Sequence, residues 1–137
     1  LSPNSTKDQI GTVAPGALPA LEEAIAPFVA EAKRTYPAAK ERFLAGLPKG
    51  QSFFLTTRLH DGSGTFEQVF IAIRSIDDGI VSGRVWSEIT RVKGYKHGDD
   101  YTFPESEILD WLITKPDGSE EGNFVGKYLD SLYQGGT

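Results

Sequence analysis

Between Leu18 and Tyr36 apolar side chains recur every three or four positions, through Leu18, Leu21, Ile25, Phe28, Val29, Ala32 and Tyr36. That spacing puts them on one stripe of an amphipathic helix. Pro19 suits a first helical turn, but Pro27 and Pro37 each remove an amide donor inside the pattern, so two or three consecutive helical pieces are expected. The last piece covers about Pro37 to Ala45 and closes at Gly46, a residue suited to the left-handed stop of a helix. After the Leu47-Pro48-Lys49-Gly50 turn the period shortens to two, with Phe53, Leu55, Thr57 and Leu59 alternating against Ser52, Phe54, Thr56 and Arg58. This predicts a first strand over Ser52 to His60.

The strand signal then repeats. Asp61-Gly62-Ser63-Gly64-Thr65 is hairpin chemistry leading into a strand over Phe66 to Ile76, and Asp77-Asp78-Gly79 turns into a third over Ile80 to Trp86. Val92 to Tyr95 and Asp100 to Phe103 are short extended candidates, Ile108 to Thr114 is another strand, and Pro116-Asp117-Gly118-Ser119 is a turn. Val125 to Tyr133, with Val125, Tyr128, Leu129 and Leu132, fits a closing helix better than a bent strand. The expected fold is α+β: an N-terminal helical segment packed on a curled antiparallel sheet of five or six short strands, a meander able to curl into a small open barrel. No internal repeat and no linker interrupts this pattern, so residues 18–134 are expected to form one domain.

Residues 1–17, rich in Ser, Thr, Asn, Pro and Gly, have the composition of a flexible tether. The chain begins at Leu1 and holds no methionine, which fits loss of a signal peptide or lipoprotein leader and fits equally a trimmed chain. A periplasmic or otherwise exported location is the expectation, with a cytoplasmic one as the alternative. At 137 residues the chain is long enough to bury a core without staples. Its apolar runs are too short to cross a bilayer as helices, so no transmembrane segment is expected. A net charge of -5 repels a phosphate backbone, and the densest basic stretch holds only Arg91, Lys93 and Lys96 before Asp99 and Asp100, so no nucleic-acid binding is expected.

The chemical inventory is sparse. Without cysteine there is no thiolate chemistry, no disulfide and no cysteine-held zinc. His60 and His97 are the only imidazoles, too few for a triad or a metal cage, so no catalytic residue, no metal and no cofactor is expected. The carboxylate pairs Asp77-Asp78, Asp99-Asp100 and Glu120-Glu121 are adjacent in sequence and read as turn and solubility residues. Asp110 differs, because it interrupts the apolar run Ile108-Leu109-Asp110-Trp111-Leu112 and a half-buried carboxylate must find donors. The amides of the Gly94 to Gly98 loop, or Arg91, are candidate donors. Trp86, Tyr95, Tyr101 and Trp111 are aromatics with polar handles, suited to lining a groove, although core packing accounts for some of them. The candidate binding residues are therefore Trp86, Arg91, Tyr95, Asp99, Asp110 and Trp111.

From about Ala30 to Leu132 the chain resembles the bacterial family called domain of unknown function 2314. The resemblance is carried by Ala32-Lys33-Arg34-Thr35 with Pro37 and Phe43, by Glu67-Gln68-Val69-Phe70-Ile71, and by Asp78-Gly79 and Gly83. It continues through Val92-Lys93-Gly94, Gly98-Asp99 and Phe103, then Ile108-Leu109-Asp110-Trp111 and Gly122-Asn123-Phe124. The sequence departs from the family where Phe70 replaces a tryptophan and where Trp86-Ser87-Glu88 replaces an Asn-x-Pro-like turn. The resemblance implies a bacterial protein of a family whose members are often exported, and it brings no established activity.

A non-enzymatic binding or interaction module of the cell envelope is thus the leading expectation. Its partner would be a protein or peptide, met at a sheet edge or at a groove near Trp86 and Trp111. The alternatives are a small enzyme using Asp99 or Asp110 as general base and an antitoxin-like inhibitor. The oligomeric state is left open.

Overall fold

The structure is a computed structural model that describes residues 18–135; the tether expected over residues 1–17 lies outside them. Helix α1 (Leu18–Ala45) leads into strands β1 (Ser52–His60), β2 (Phe66–Asp77), β3 (Ile80–Val85) and β4 (Asp100–Pro104). A single 3-10 turn over Glu105–Glu107 is followed by β5 (Asp110–Thr114), β6 (Glu120–Gly122) and helix α2 (Phe124–Gly135). The α+β reading holds, with all six strands in one antiparallel sheet of order β4-β3-β2-β1-β5-β6. The sheet is not closed: its edge strands β4 and β6 do not pair with each other.

The expected breaks at the two prolines do not occur. α1 runs unbroken through Pro27 and Pro37 and stops at Gly46, whose φ is 97° and whose amide bonds back to the Phe43 carbonyl. Both prolines are exposed, and the carbonyls they leave without a donor belong to Glu23 and Lys33, also exposed and so within reach of solvent. The apolar stripe divides its work along this length. Ile25, with Leu21, Phe28 and Val29 beside it, packs on Val125, Tyr128 and Leu129 of α2. Ala32 and Ala39, with Tyr36 and Phe43, pack on the sheet.

Alternation along the strands assigns the sheet face that α1 covers. Phe53, Leu55, Thr57 and Leu59 of β1 lie beside Val69 and Ile71 of β2, Val85 of β3, and Trp111 and Ile113 of β5. Phe43 of α1 stacks on Phe53 with ring centroids 5.0 Å apart, and the Trp111 indole N–H donates to the Thr35 hydroxyl at 2.9 Å. Leu55, Ile71, Val85 and Ile113 have no exposure at all, so this face is the core. Because β1 sits mid-sheet, Phe54 and Thr56 on its other face are also buried, which is why the run Phe53 to Thr57 shows no exposed position.

A plain meander is only part of the topology. β1 to β4 follow it, but β5 passes back beyond β1 to pair on its free side, in register Ser52 to Thr56 against Thr114 to Asp110. The 3-10 turn carries the chain across, held by the Glu105 amide on the Gly79 carbonyl and by the Glu105 carboxylate, which accepts the Tyr36 hydroxyl at 2.5 Å and pairs with Lys40 at 3.0 Å. The extended stretch expected at Val92 to Tyr95 is instead part of an irregular loop between β3 and β4. Strand β6 has no apolar residue and no counterpart in the sequence reading. Arg42 of α1 holds it, donating through both terminal nitrogens to the Glu121 carboxylate at 2.8 Å each, with Lys115 adding a third contact at 3.0 Å.

Candidate functional site

Asp110 and Trp111 are consecutive on β5 and so point to opposite faces. Trp111 is 6% exposed, paired across from Leu55 and edge-on to Phe124, so it is a core residue. Trp86 is 54% exposed and lies on the other face, its ring 5.7 Å from that of Phe54 and 5.3 Å from that of His97. Trp111 is buried in the core and does not line the depression that Trp86 borders, so the two tryptophans do not share one groove.

Asp110 is wholly buried, and its donors come from neither the Gly94 to Gly98 loop nor Arg91. Its carboxylate accepts the Trp111 amide at 2.8 Å and the Val125 amide at 2.7 Å, with the Phe124 and Gly126 amides close enough to contribute. The Phe124, Val125 and Gly126 amides are the first of α2, which have no partners within the helix. Asp110 is thus the N-cap of α2, supplied from a strand rather than from the preceding residue. Burial raises its pKa to about 6, against the downward pull of the amides. It lines neither of the two surface cavities described below.

The loop from Trp86 to Asp99 carries four of the six candidate residues and is fixed from beneath. Glu67, a buried carboxylate at the start of β2, accepts the amides of Thr90, Arg91 and Val92 at 3.1, 2.8 and 3.2 Å and the Thr90 hydroxyl at 3.2 Å. Asp61 accepts the Lys93 amide at 3.1 Å, and its hydrogen bonds from Ser63 and Lys93 lower its pKa to about 2. Asp99 accepts the Lys96 amide at 3.1 Å, while its carbonyl takes the Val85 amide at 2.8 Å. Arg91 contributes its backbone here and leaves its side chain exposed; Tyr95 packs edge-on to Tyr101 at 5.8 Å. The Arg91 backbone, Tyr95 and Asp99 therefore help hold the loop, while the Trp86 and Arg91 side chains are exposed.

Replacing Glu67 tests that account. Glu67→Ala leaves three amides without an acceptor, the buried one at Val92 costing roughly 1 kcal/mol or more and the two nearer solvent less, which predicts a loss of about 2 kcal/mol in urea unfolding. Amide exchange at 90–92 should accelerate with it. Unchanged exchange at those three positions would refute the clamp.

The surface beside Trp86 is more apolar than polar, with Gln51 and Ser52 among its lining. A depression of about 460 Å³ is lined by Phe43, Leu47, Phe53, Phe54, Ile73 and Trp86, among others. Leu44, at the end of α1, is 56% exposed nearby in sequence. Trp86 is held by its amide on the Phe70 carbonyl at 2.9 Å, by the Ser87 hydroxyl accepting the Phe70 amide at 2.9 Å, and by its carbonyl against His97 Nδ1 at 2.6 Å. Its backbone is fixed while its indole stays accessible. A second cavity, of about 230 Å³, lies at the far end of β1, lined by Thr57, Arg58, His60, Glu107 and Leu109. Sequence reading placed Glu67 in a family motif without a role, since its partners are backbone amides of a distant segment.

Among the described residues no group of three or more His, Asp or Glu side chains is placed to hold a metal ion, and no helix is long and apolar enough to cross a membrane. The fold and its loop-borne aromatic surface define an α+β domain with one open six-stranded sheet. The chain belongs to a bacterial family described as uncharacterized protein conserved in bacteria (DUF2314), whose model matches residues 22–132. No curated protein and no solved structure matches the chain.

Proposed function

We propose that this protein is a binding module of the cell envelope that captures a protein or peptide by an apolar side chain at the Trp86 depression. The observation that carries this reading is a tryptophan more than half exposed on a fixed backbone, lining a cavity with six further apolar side chains, Phe43, Leu47, Phe53, Phe54, Ala72 and Ile73. Burying such a surface is favourable, and a soluble domain that leaves it open on a rigid support has it poised for an occupant. The aspartates that an enzyme would use are otherwise engaged. Asp110 has its oxygens on backbone amides, and Asp99 holds Lys96, which favours binding over general-base chemistry. Exported location is part of the same proposal and rests on the tether-like composition of residues 1–17.

The test is panning of a random peptide library on the purified chain, with Trp86→Ala as counter-selection. Enriched peptides are expected to share an aromatic or aliphatic anchor and to bind at least tenfold more weakly to Trp86→Ala, whose thermal unfolding should be nearly unchanged because the ring is half in solvent. Peptides that bind both proteins equally, or no enrichment at all, would overturn the reading.

A further inference from the structure

Strand β1 loses one neighbour before it ends. β5 pairs with Ser52 to Thr56, and the Leu109 amide still reaches the Thr56 carbonyl at 2.9 Å, but residues 57–60 keep a strand, β2, on one side only. In an antiparallel ladder the N–H and C=O of one residue point to the same side, and successive residues alternate. The Asp61 amide bonds across the hairpin to the Thr65 carbonyl while Thr56 faces β5, so odd-numbered residues of β1 serve β2 and even-numbered ones serve the other side. The N–H and C=O of Arg58 and of His60 therefore face away from β2, and no backbone group among the described residues meets them. The cavity of about 230 Å³ lies on that side, walled by Thr57, Arg58, His60, Glu107 and Leu109.

Four ladder groups without partners beside an open cavity are a template for one more short strand. The stretch of chain before Leu18 is the occupant nearest to hand. α1 begins beside this notch, because Glu22, one turn into the helix, accepts from Arg58 Nη1. From Val13 to Leu18 the backbone can span about 17 Å, and Leu18 to Glu22 is only about 6 Å along the helix, so residues up to Val13 can reach β1 while α1 stays where it is. The sequence there suits the task. Gln9-Ile10-Gly11-Thr12-Val13 holds three β-branched residues, and Gly11 among them has no side chain to keep a neighbouring backbone at a distance.

We infer that residues 9–13 add to β1 of the same chain as a short strand at this notch, pairing with the backbone of Arg58 and His60. The pairing is independent of the Trp86 depression, which borders the opposite end of β1 at Phe53 and Phe54. Its consequence is orientation: the N-terminal segment is pinned at the His60 end of β1, and the Trp86 surface lies at the other.

Amide hydrogen exchange on the intact chain, followed by nuclear magnetic resonance, reads the pairing. The Arg58 and His60 amides should exchange at least a hundredfold more slowly than those of the exposed turn residues Gly62 and Asp78. Ile10→Pro/Gly11→Pro removes a donor from the added strand whichever of its residues face β1, and lies outside every described element. In that variant the same two amides should exchange at least tenfold faster, with Leu55 and Ile113 unchanged. Nuclear Overhauser contacts from the Arg58 and His60 amides to residues 9–13 are expected within one chain, and a mixture of differently isotope-labelled chains shows whether they are. Contacts found only between differently labelled chains would give the notch to a second copy and overturn the inference. So would Arg58 and His60 amides exchanging as fast as Gly62, or equal protection in the proline variant, which would make the Glu107–Leu109 segment their shield.

Discussion

Asp110→Ala should cost roughly 3 kcal/mol of stability, because it strips acceptors from buried amides at the start of α2 and beside it on β5 and leaves a void in a fully packed position. A local N-cap change costs only about 1 kcal/mol, since water replaces the lost acceptor. Here water has no access. The loss should appear first in α2, whose Val125 and Leu129 close the small core against Ile25, so near-ultraviolet and helical signals should separate if α2 detaches before the sheet unfolds.

The same residue gives stability a pH dependence of definite sign. Burial holds the folded pKa at about 6 against an ordinary 3.8, so between those values the folded chain binds a proton that the unfolded chain does not. Its contribution is present below about pH 4 and is lost as pH rises through about 6, an effect on the order of 3 kcal/mol. Asp110→Asn, neutral at every pH, is the reference. The stability of the native chain relative to Asp110→Asn should fall between pH 4 and 6 and level off above. Asp61 and Glu121, both held at about 2 by hydrogen bonds, act in the opposite sense, and because they are present in both proteins they cancel in that difference. A difference that stays flat from pH 4 to 7 would show that the amide bonds, and not burial, set the protonation of Asp110.

Much of the fold is legible in the change of period near Gly46. The helix stripe, β1 at its observed bounds, the hairpins at Asp61–Thr65 and Asp77–Gly79, and the closing helix all follow from spacing and turn residues, because each is a local preference agreeing with burial. What spacing hides is of two kinds. β6 has the sequence Glu120-Glu121-Gly122 and carries no alternation; it is a strand because Leu112 to Thr114 offer a ladder and Arg42 and Lys115 hold Glu121. The continuity of α1 is hidden as well, since the cost of a proline depends on whether the freed carbonyl meets water, which only the packed structure decides.

The candidate site divides in the same way. Asp110 stood out as one polar residue in an apolar run, but its donors lie 15 residues on, at a helix start that a local reading would cap with Asn123. Asn123 instead adopts φ 57°, and its Oδ1 is buried without a partner, so the nearby capping residue is spent on the turn while the distant aspartate caps the helix. Trp86 and Trp111 could not be told apart by type. Their parity along two strands separates them, and that parity becomes useful only when the register between β1, β3 and β5 is known. The role of Glu67 is not legible in the sequence for a related reason: it serves three backbone amides, which have no residue signature.

Gly122→Ala should be strongly destabilising, at roughly 4 kcal/mol, the sum of a left-handed backbone and a clash that has nowhere to relax. Gly122 has φ 78°, and a Cβ there would lie 2.4 Å from the Trp111 carbonyl oxygen and 2.7 Å from its indole. The carbonyl cannot withdraw, because it accepts the Asn123 amide at 2.6 Å, and the indole is tied by its N–H to Thr35 on α1. Moving either one would loosen the junction where β5, β6, α1 and α2 meet. Gly118→Ala separates the two contributions, since φ there is 86° but no atom lies within 4 Å of the added methyl, so it carries the backbone cost alone, about 1 kcal/mol. Chemical denaturation of both variants, followed by the emission of buried Trp111 in a Trp86→Phe background, reads the difference. If Gly122→Ala proved no worse than Gly118→Ala, the packing of β6 and α2 against Trp111 would be looser than this geometry requires, and the buried cap at Asp110 would lose the rigid frame on which its pH dependence rests.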